Sequence, residues 1–132
     1  MLEEKINEKN IKVELDSEEI TIVEDADLIM EVWINLLSNA IKYSNQNGNI
    51  NINIIDEKEF VKVEIKDDGI GIPKDKQERI FEKFFQVEKS HSYDGSGLGL
   101  AIVRRIIDLT KGKIELESEE GKGTSFFVYL KK

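Results

Sequence analysis

Residues 34–43 read INLLSNAIKY, and the main feature of this stretch is a pair of asparagines one helical turn apart. Asn35 and Asn39 stand at positions i and i+4, so they share one face of a helix, and Lys42 follows on the same side. An amide oxygen beside an ammonium group suits a magnesium–phosphate group, because magnesium prefers oxygen ligands. Two solvated or capping asparagines on an amphipathic helix are the alternative, so the surrounding sequence has to decide.

The hydrophobic pattern around this stretch predicts a helix over residues 26–44, with Asp25 as its N-cap and Gly48 in a turn after its end. Further predicted helices cover residues 74–84 and 98–110, and predicted strands cover residues 11–15, 20–23, 49–55, 60–66, 114–117 and 124–130. The strands arrive as hairpins with helices between them. This order favours an α+β two-layer sandwich over a doubly wound parallel sheet.

The remaining segments read as flexible. Residues 1–10 are highly charged and read as a flexible lead-in, which leaves residues 11–132 as one compact domain. Residues 86–97 have no hydrophobic period and many small polar side chains, which is typical of a mobile loop.

Composition excludes several classes of protein. The net charge of −8 argues against a nucleic-acid surface. The chain has no cysteine, and a lone histidine, His91, cannot build a multi-histidine metal site, so we interpret His91 as a solvated loop residue. No apolar run approaches the ~20 residues of a membrane helix, and the N-terminus has no signal-peptide core. We therefore expect a cytoplasmic domain. This expectation also holds if the full-length protein is anchored in the inner membrane by another segment.

A second motif, Asp67-Asp68-Gly69-Ile70-Gly71-Ile72-Pro73, directly follows a predicted strand. Glycines let the backbone turn sharply and let a flat ligand approach closely. A buried carboxylate there accepts a hydrogen bond from an exocyclic amine such as adenine N6 and rejects a carbonyl oxygen. A plain Asp-Gly turn is the alternative.

A third motif, Gly95-Ser96-Gly97-Leu98-Gly99-Leu100, leads from the loop into a helix, where N–H groups and the helix dipole favour phosphate. It fits neither the Rossmann nor the Walker A pattern, and a flexible hinge is the alternative. Thr124, in a hairpin turn, is a further hydroxyl for a phosphate or an adenine-site water. The aromatic residues of segment 79–85 indicate core packing or a hook for a partner.

Taken in order, these motifs resemble those of the catalytic ATP-binding domain of sensor histidine kinases, in the superfamily that includes the gyrase B and MutL ATPases. Its N box, first glycine box, F box, second glycine box and last glycine box are similar to residues 35–43, 67–73, 81–85, 95–100 and 121–124. The resemblance covers residues 11–131. It implies a mixed, mostly antiparallel sheet with three helices on one face.

The resemblance also implies roles for individual residues. Asn39 would ligate Mg²⁺ with help from Asn35, and Asn35 and Lys42 would be the catalytic residues beside the phosphates. Asp67 would hold the adenine amine, and residues 86–97 would form a lid over ATP. The other implied ATP-binding residues are Tyr43, Gly69, Gly71, Ile72, Gly95, Gly97, Leu98, Gly99, Leu100 and Thr124.

The implied activity is transfer of phosphate to a histidine. Hydrolytic relatives carry a glutamate where this chain has Asn35, and Glu31 lies a further turn back, which favours holding ATP for transfer. Many family members have an arginine at the position of Gln86, and Lys42, Lys83 or Lys89 are candidate substitutes here.

The resemblance implies that the phospho-accepting histidine lies on a separate dimerising helical hairpin upstream. We therefore expect a monomeric catalytic half of a kinase, whose partners are that hairpin and, indirectly, a response regulator. We expect no contact with nucleic acid or membrane. The alternatives are a nucleotide-sensing module without phosphotransfer, a serine kinase of the anti-sigma type and an ATPase.

Overall fold

Five strands and three α-helices make up the part of the chain that the structure, a computed structural model, describes: residues 2–17, 25–82 and 99–131. In chain order the elements are α1 (Leu2–Lys9), β1 (Lys12–Ser17), α2 (Ala26–Tyr43), β2 (Asn49–Asp56), β3 (Phe60–Asp67), a short 3-10 helix (Lys74–Lys76), α3 (Gly99–Leu109), β4 (Lys113–Glu119) and β5 (Gly123–Lys131).

The strands form one sheet in the order β1-β2-β3-β5-β4. Strand β1 runs parallel to β2, and the other neighbours are antiparallel. Helix α2 connects the two parallel strands, because parallel neighbours need a long crossover connection. The expected α+β architecture with a mixed, mostly antiparallel sheet is confirmed.

Strand alternation places the core on one face of this sheet. Every second residue of β3 and β5 is buried there, and α2 and α3 pack against these residues with apolar stripes. Each fully buried aliphatic side chain stabilises the fold by about 1.5–3 kcal/mol. The least exposed members are Val32, Leu36, Ile41, Ile50, Val103, Ile107, Val128 and Leu130.

Polar contacts fix both ends of helix α2. The sequence predicts the contact at its start but not the one after its end. The Asp25 side chain accepts hydrogen bonds from the N–H groups of Asp27 and Leu28, so the predicted N-cap is confirmed. After the helix, the residue with a left-handed backbone is Asn47 (φ 62°) rather than Gly48. The Asn47 N–H donates to the Lys9 carbonyl at 2.7 Å, which fixes the turn there.

The expectation of a flexible segment at residues 1–10 is wrong, because Leu2–Lys9 forms helix α1. Ile6 packs against the core. The Lys9 ammonium donates to the carbonyl oxygens of Ile41 (3.1 Å), Lys42 (2.8 Å) and Ser44 (3.1 Å) at the end of α2. These tertiary contacts, rather than local propensity, hold the helix in place.

Two other predicted elements differ. Strand β1 extends through Ser17, two residues beyond the predicted strand 11–15, and pairs in parallel with β2. The predicted strand 20–23 lies outside the described residues. The predicted helix 74–84 is a 3-10 helix followed by turns, with hydrogen bonds from residue i to i−3. Its last two residues lie outside the described part.

Replacing Lys9 with Met keeps the apolar stem and removes the ammonium that caps α2. We expect the free energy of unfolding to fall by about 1–2 kcal/mol, measured by urea denaturation. Lys66→Met, at an exposed site on the open face of the sheet, is the matched control and should change it by less than about 0.5 kcal/mol. A Lys9 variant as stable as the control would contradict a clamping role for α1.

Candidate functional site

The predicted asparagine face of α2 lies next to the start of α3. The Asn35 amide nitrogen donates to the Glu31 carbonyl at 2.8 Å, while its oxygen would lie 2.9 Å from a Cβ atom on Gly99. Asn39 is partly buried, and its side chain makes no hydrogen bond within the described part of the chain. The Asn39 amide therefore remains available for a ligand, whereas Asn35 is engaged with its own helix.

Lys42 and Tyr43 close the last turn of α2. The Lys42 ammonium lies 5.3 Å from the centroid of the Tyr43 ring. The Tyr43 carbonyl accepts the N–H of Ile70 at 3.1 Å, which brings the first and second motifs together. A Cβ atom on Gly69 would lie 2.2 Å from the same carbonyl oxygen, so only glycine fits there.

Asp67 ends strand β3 with its carboxylate turned into the covered face of the sheet, where it is only 6% exposed. Its Oδ1 accepts the Gly69 N–H at 2.9 Å. Burial is the largest effect on the Asp67 pKa, which is raised to about 6. The negative charge of Asp68 also raises this pKa, whereas hydrogen bonds from the Gly69 and Thr124 N–H groups lower it. The structure thus holds a buried acceptor with an unusually high proton affinity.

Asp68 has a different role from its neighbour. It is exposed, and its two oxygens accept the backbone N–H (2.9 Å) and the side-chain amide (3.0 Å) of Asn49. These hydrogen bonds lower the Asp68 pKa. Asp68 therefore ties the end of β3 to the start of β2, and of the two aspartates only Asp67 faces the core.

The segment of residues 68–73, here called the glycine loop, contacts the turn between β4 and β5. Gly71 has a left-handed backbone (φ 71°), and a Cβ atom there would lie 2.1 Å from the Glu119 carbonyl oxygen. The Gly121 N–H donates to the Ile70 carbonyl at 2.7 Å. Both a positive φ and a close approach require glycine at position 71.

Sequence reasoning missed two polar side chains at this junction, Ser118 and Gln77. The Ser118 hydroxyl accepts the Ile72 N–H at 2.8 Å, donates to the Gly123 carbonyl at 3.0 Å and lies 2.8 Å from the Thr124 hydroxyl. The Gln77 amide donates to the carbonyls of Ile72 (3.0 Å) and Ser118 (3.1 Å). A single serine in an alternating strand gives no signal of this role in the sequence.

Phe81, the first aromatic residue of segment 79–85, belongs to the core. Its ring packs edge-on against Phe126 with centroids 6.5 Å apart, and the Arg104 guanidinium lies 5.6 Å from its centroid. Leu100 packs against the same core, which places the start of α3 beside the site.

Part of the predicted site lies outside the described residues. This holds for Gly95, Gly97 and Leu98, for the rest of the predicted lid at residues 86–97, and for Lys83, Phe84, Phe85, Gln86, Lys89 and His91. The described members form two junctions, one between α2 and the glycine loop and one between that loop and the β4–β5 turn. Their roles toward a ligand stay predictions.

No group of three or more histidine, cysteine, aspartate or glutamate side chains that could hold a metal ion occurs within the described ranges. The oxygen that α2 offers, on Asn39, fits a magnesium ion whose other ligands are phosphates and water. Among the helices that the structure describes, none has the length and apolar character needed to span a membrane.

Comparison with known proteins agrees with this geometry. The family model described as histidine kinase-, DNA gyrase B- and HSP90-like ATPase matches residues 24–132. The sensor histidine kinase YclK of Bacillus subtilis (strain 168) is 37% identical over 133 residues, which cover 98% of this chain and 28% of YclK. The chain therefore belongs to this family of ATPases.

Solved structures give the same result. The nucleotide-free catalytic domain of the histidine kinase ThkA superposes with a TM-score of 0.84 at 35% identity, over 99% of this chain and 85% of that one. ThkA was also solved with the response regulator TrrA (TM-score 0.79, 34% identity, 99% and 37% coverage). Full-length ShkA in complex with AMPPNP gives a TM-score of 0.83 at 28% identity (96% and 27% coverage). The resemblance to ATP-binding catalytic domains of sensor histidine kinases is confirmed.

Replacing each of the two neighbouring aspartates with asparagine should change stability in opposite directions. The rise of the Asp67 pKa from 3.8 to about 6 means that ionisation destabilises the folded state increasingly as pH rises between those values. Asp67→Asn should therefore raise the free energy of unfolding at pH 8 by up to about 3 kcal/mol, and by about half of that at pH 5.

Asp68→Asn is the matched control for that measurement. The Asp68 pKa is lowered, so its ionised form adds stability above pH 3.8, and that stability is lost as pH falls. The asparagine variant should be less stable than the unaltered chain at pH 8 in urea denaturation. Two variants that shift stability in the same direction would contradict the assignment of Asp67 as the buried carboxylate.

Proposed function

We propose that this chain binds Mg²⁺–ATP and positions its γ-phosphate for transfer to a histidine on a separate helical hairpin of the same kinase. The observation that carries this proposal is the buried Asp67 carboxylate, set beside a glycine loop that is joined to the asparagine-bearing end of α2. The chain spans 28% of the length of YclK, so transfer by the whole protein is inferred.

The base end of the nucleotide would bind at Asp67. Its carboxylate is an acceptor that the exocyclic amine of adenine satisfies. Gly69 and Gly71 let the loop pack closely against the Tyr43 and Glu119 carbonyls, which holds the loop beside Asp67. Ile72, within this loop, and Thr124, across the sheet from Asp67, are both buried and would complete the pocket for the base.

The phosphate end would lie along the last turns of α2. Tyr43 contacts the glycine loop, and Asn39 lies one turn earlier, about 6 Å along the helix axis. In the proposed complex the Asn39 oxygen binds Mg²⁺, and Lys42 contacts the phosphates. The ion would neutralise phosphate charge. Gly99 and Leu100 at the start of α3, with Gly95, Gly97 and Leu98 before them, would offer backbone N–H groups to the phosphates.

Transfer is favoured over hydrolysis because the described site offers no general base next to Asn39. Asn35 is an amide whose nitrogen already donates to the Glu31 carbonyl, and the exposed Glu31 side chain lies a further turn away from Asn39. A site that positions ATP without activating water can serve an acceptor that approaches from another domain.

The proposed partners follow from this division of labour. They are the dimerisation and phospho-acceptor hairpin and, through it, a response regulator; ThkA, a structural neighbour, was solved with one. We propose that the isolated domain is monomeric and cytoplasmic, and that residues 11–132 form the catalytic domain, with α1 as its connection to upstream helices.

The direct test supplies the missing acceptor. The chain is mixed with the helical hairpin of its own full-length protein and with ATP labelled at the γ-phosphate, and acid-labile phosphohistidine is measured. We expect labelled hairpin with the unaltered chain and at least about a hundredfold less with Asn39→Ala, because phosphate positioning is lost. Asn51→Ala, on the open face of β2, is the matched control and should retain activity.

Three outcomes of that assay separate the alternatives. Nucleotide binding without any labelled histidine would support a sensing module instead. Multiple-turnover release of inorganic phosphate from ATP by the isolated chain would support an ATPase. Label on serine of an added protein would support a serine kinase.

A further inference from the structure

The Ser118 hydroxyl stands at the centre of the junction between the glycine loop and the β4–β5 turn. Three polar atoms lie within hydrogen-bond distance of it: the Ile72 nitrogen at 2.8 Å, the Gly123 carbonyl oxygen at 3.0 Å and the Thr124 hydroxyl at 2.8 Å. A serine hydroxyl has one proton to donate and two lone pairs to accept with, so these three contacts use its full capacity.

Counting protons fixes the direction of each bond. The Ile72 N–H can only donate, and the Gly123 carbonyl can only accept, so Ser118 accepts from the first and gives its single proton to the second. The contact with Thr124 then needs the proton of the Thr124 hydroxyl. Thr124 is left with lone pairs and no proton to offer to a ligand.

Thr124 lies directly across the sheet from Asp67, on the same covered face. The two residues are register partners between β5 and β3, and they are 7% and 6% exposed. Directly opposed residues of antiparallel strands have Cβ atoms about 5 Å apart, within reach of one ligand group. With its proton held by Ser118, Thr124 adds a second acceptor next to the Asp67 carboxylate.

We propose that Ser118 is a positioning residue for base discrimination: it holds the Thr124 hydroxyl proton, so that the base site presents only acceptors and selects a purine with an amine, rather than a keto oxygen, at C6. This inference rests on the proposed nucleotide function. The amine of adenine has two N–H bonds for two acceptors. The keto oxygen of hypoxanthine or guanine has none, and a lone pair facing a lone pair is repelled.

Loss of the Ser118 hydroxyl should narrow the preference for a base with an amine at C6 over a base with a keto oxygen there. The Thr124 hydroxyl becomes free to rotate and to donate to a keto oxygen. The Ile72 N–H also loses its acceptor, but that loosens the loop for every nucleotide alike. The ratio of affinities for two bases therefore reports the hydroxyl orientation separately from general loop stability.

The experiment measures ADP and IDP affinities by calorimetry for the unaltered chain and four variants. Ser118→Ala and Ser118→Cys, the second of which nearly keeps the side-chain volume, should narrow the preference for ADP over IDP by about tenfold. Ser118→Thr keeps the hydroxyl on a strand that tolerates β-branched residues, and it should restore the preference. Ser125→Ala, in β5 on the opposite face, is the control and should leave the ratio unchanged.

The outcomes distinguish this inference from the proposed function. If Ser118→Ala or Ser118→Cys weakens ADP and IDP by the same factor while the unaltered chain still prefers ADP, Ser118 only holds the loop and the inference is overturned. If the unaltered chain binds no ADP, the proposed function fails and the inference fails with it. Thermal unfolding of each variant confirms that the affinities come from folded protein.

Discussion

The burial of one ionisable carboxylate is the constraint on which the rest of this structure depends. Asp67 sits at the end of β3 on the face that also carries the hydrophobic core, and burial raises its pKa to about 6. The N–H groups of Gly69 and Thr124 offset only part of the cost of removing it from water. We propose that this strong acceptor is kept in place, at a cost in stability, for a donor that the ligand supplies.

Rigid elements hold the two ends of the proposed nucleotide site. At one end, α1 clamps the last turn of α2 through Lys9, and the same turn receives the glycine loop through the Tyr43 carbonyl. At the other end, Ser118 and Gln77 fasten the loop to β4. A loop fixed on both sides can set the distance between base and phosphate groups more accurately than a free one. The glycines at positions 69 and 71 follow from this close approach, because a side chain at either position would collide with backbone.

Local patterns predicted the parts of the fold that local forces determine. The hairpins of β2–β3 and β4–β5, helix α2 with its Asp25 cap and helix α3 all follow from periodicity and turn residues. Helix α1, the parallel pairing of β1 and the 3-10 segment after Pro73 were missed, because distant contacts such as those of Lys9 and Gln77 decide them. The sequence identified Asp67 through its motif, and the alternation of β3 places Asp67 on the same face as Val63 and Ile65. The proposed role of Ser118 depends on the directions of three hydrogen bonds between residues far apart along the chain, which local sequence patterns do not predict.

Titration of the Asp67 carboxyl carbon by nuclear magnetic resonance, with and without ADP, tests the central claim most directly. In the free chain the midpoint should lie near pH 6. Saturating ADP should move it well below 6, because a hydrogen bond from the adenine amine favours the ionised form, and by linkage ADP should bind more tightly as pH rises through 6. A midpoint near the ordinary 3.8 in the free chain, or one that ADP leaves unchanged, would contradict the account.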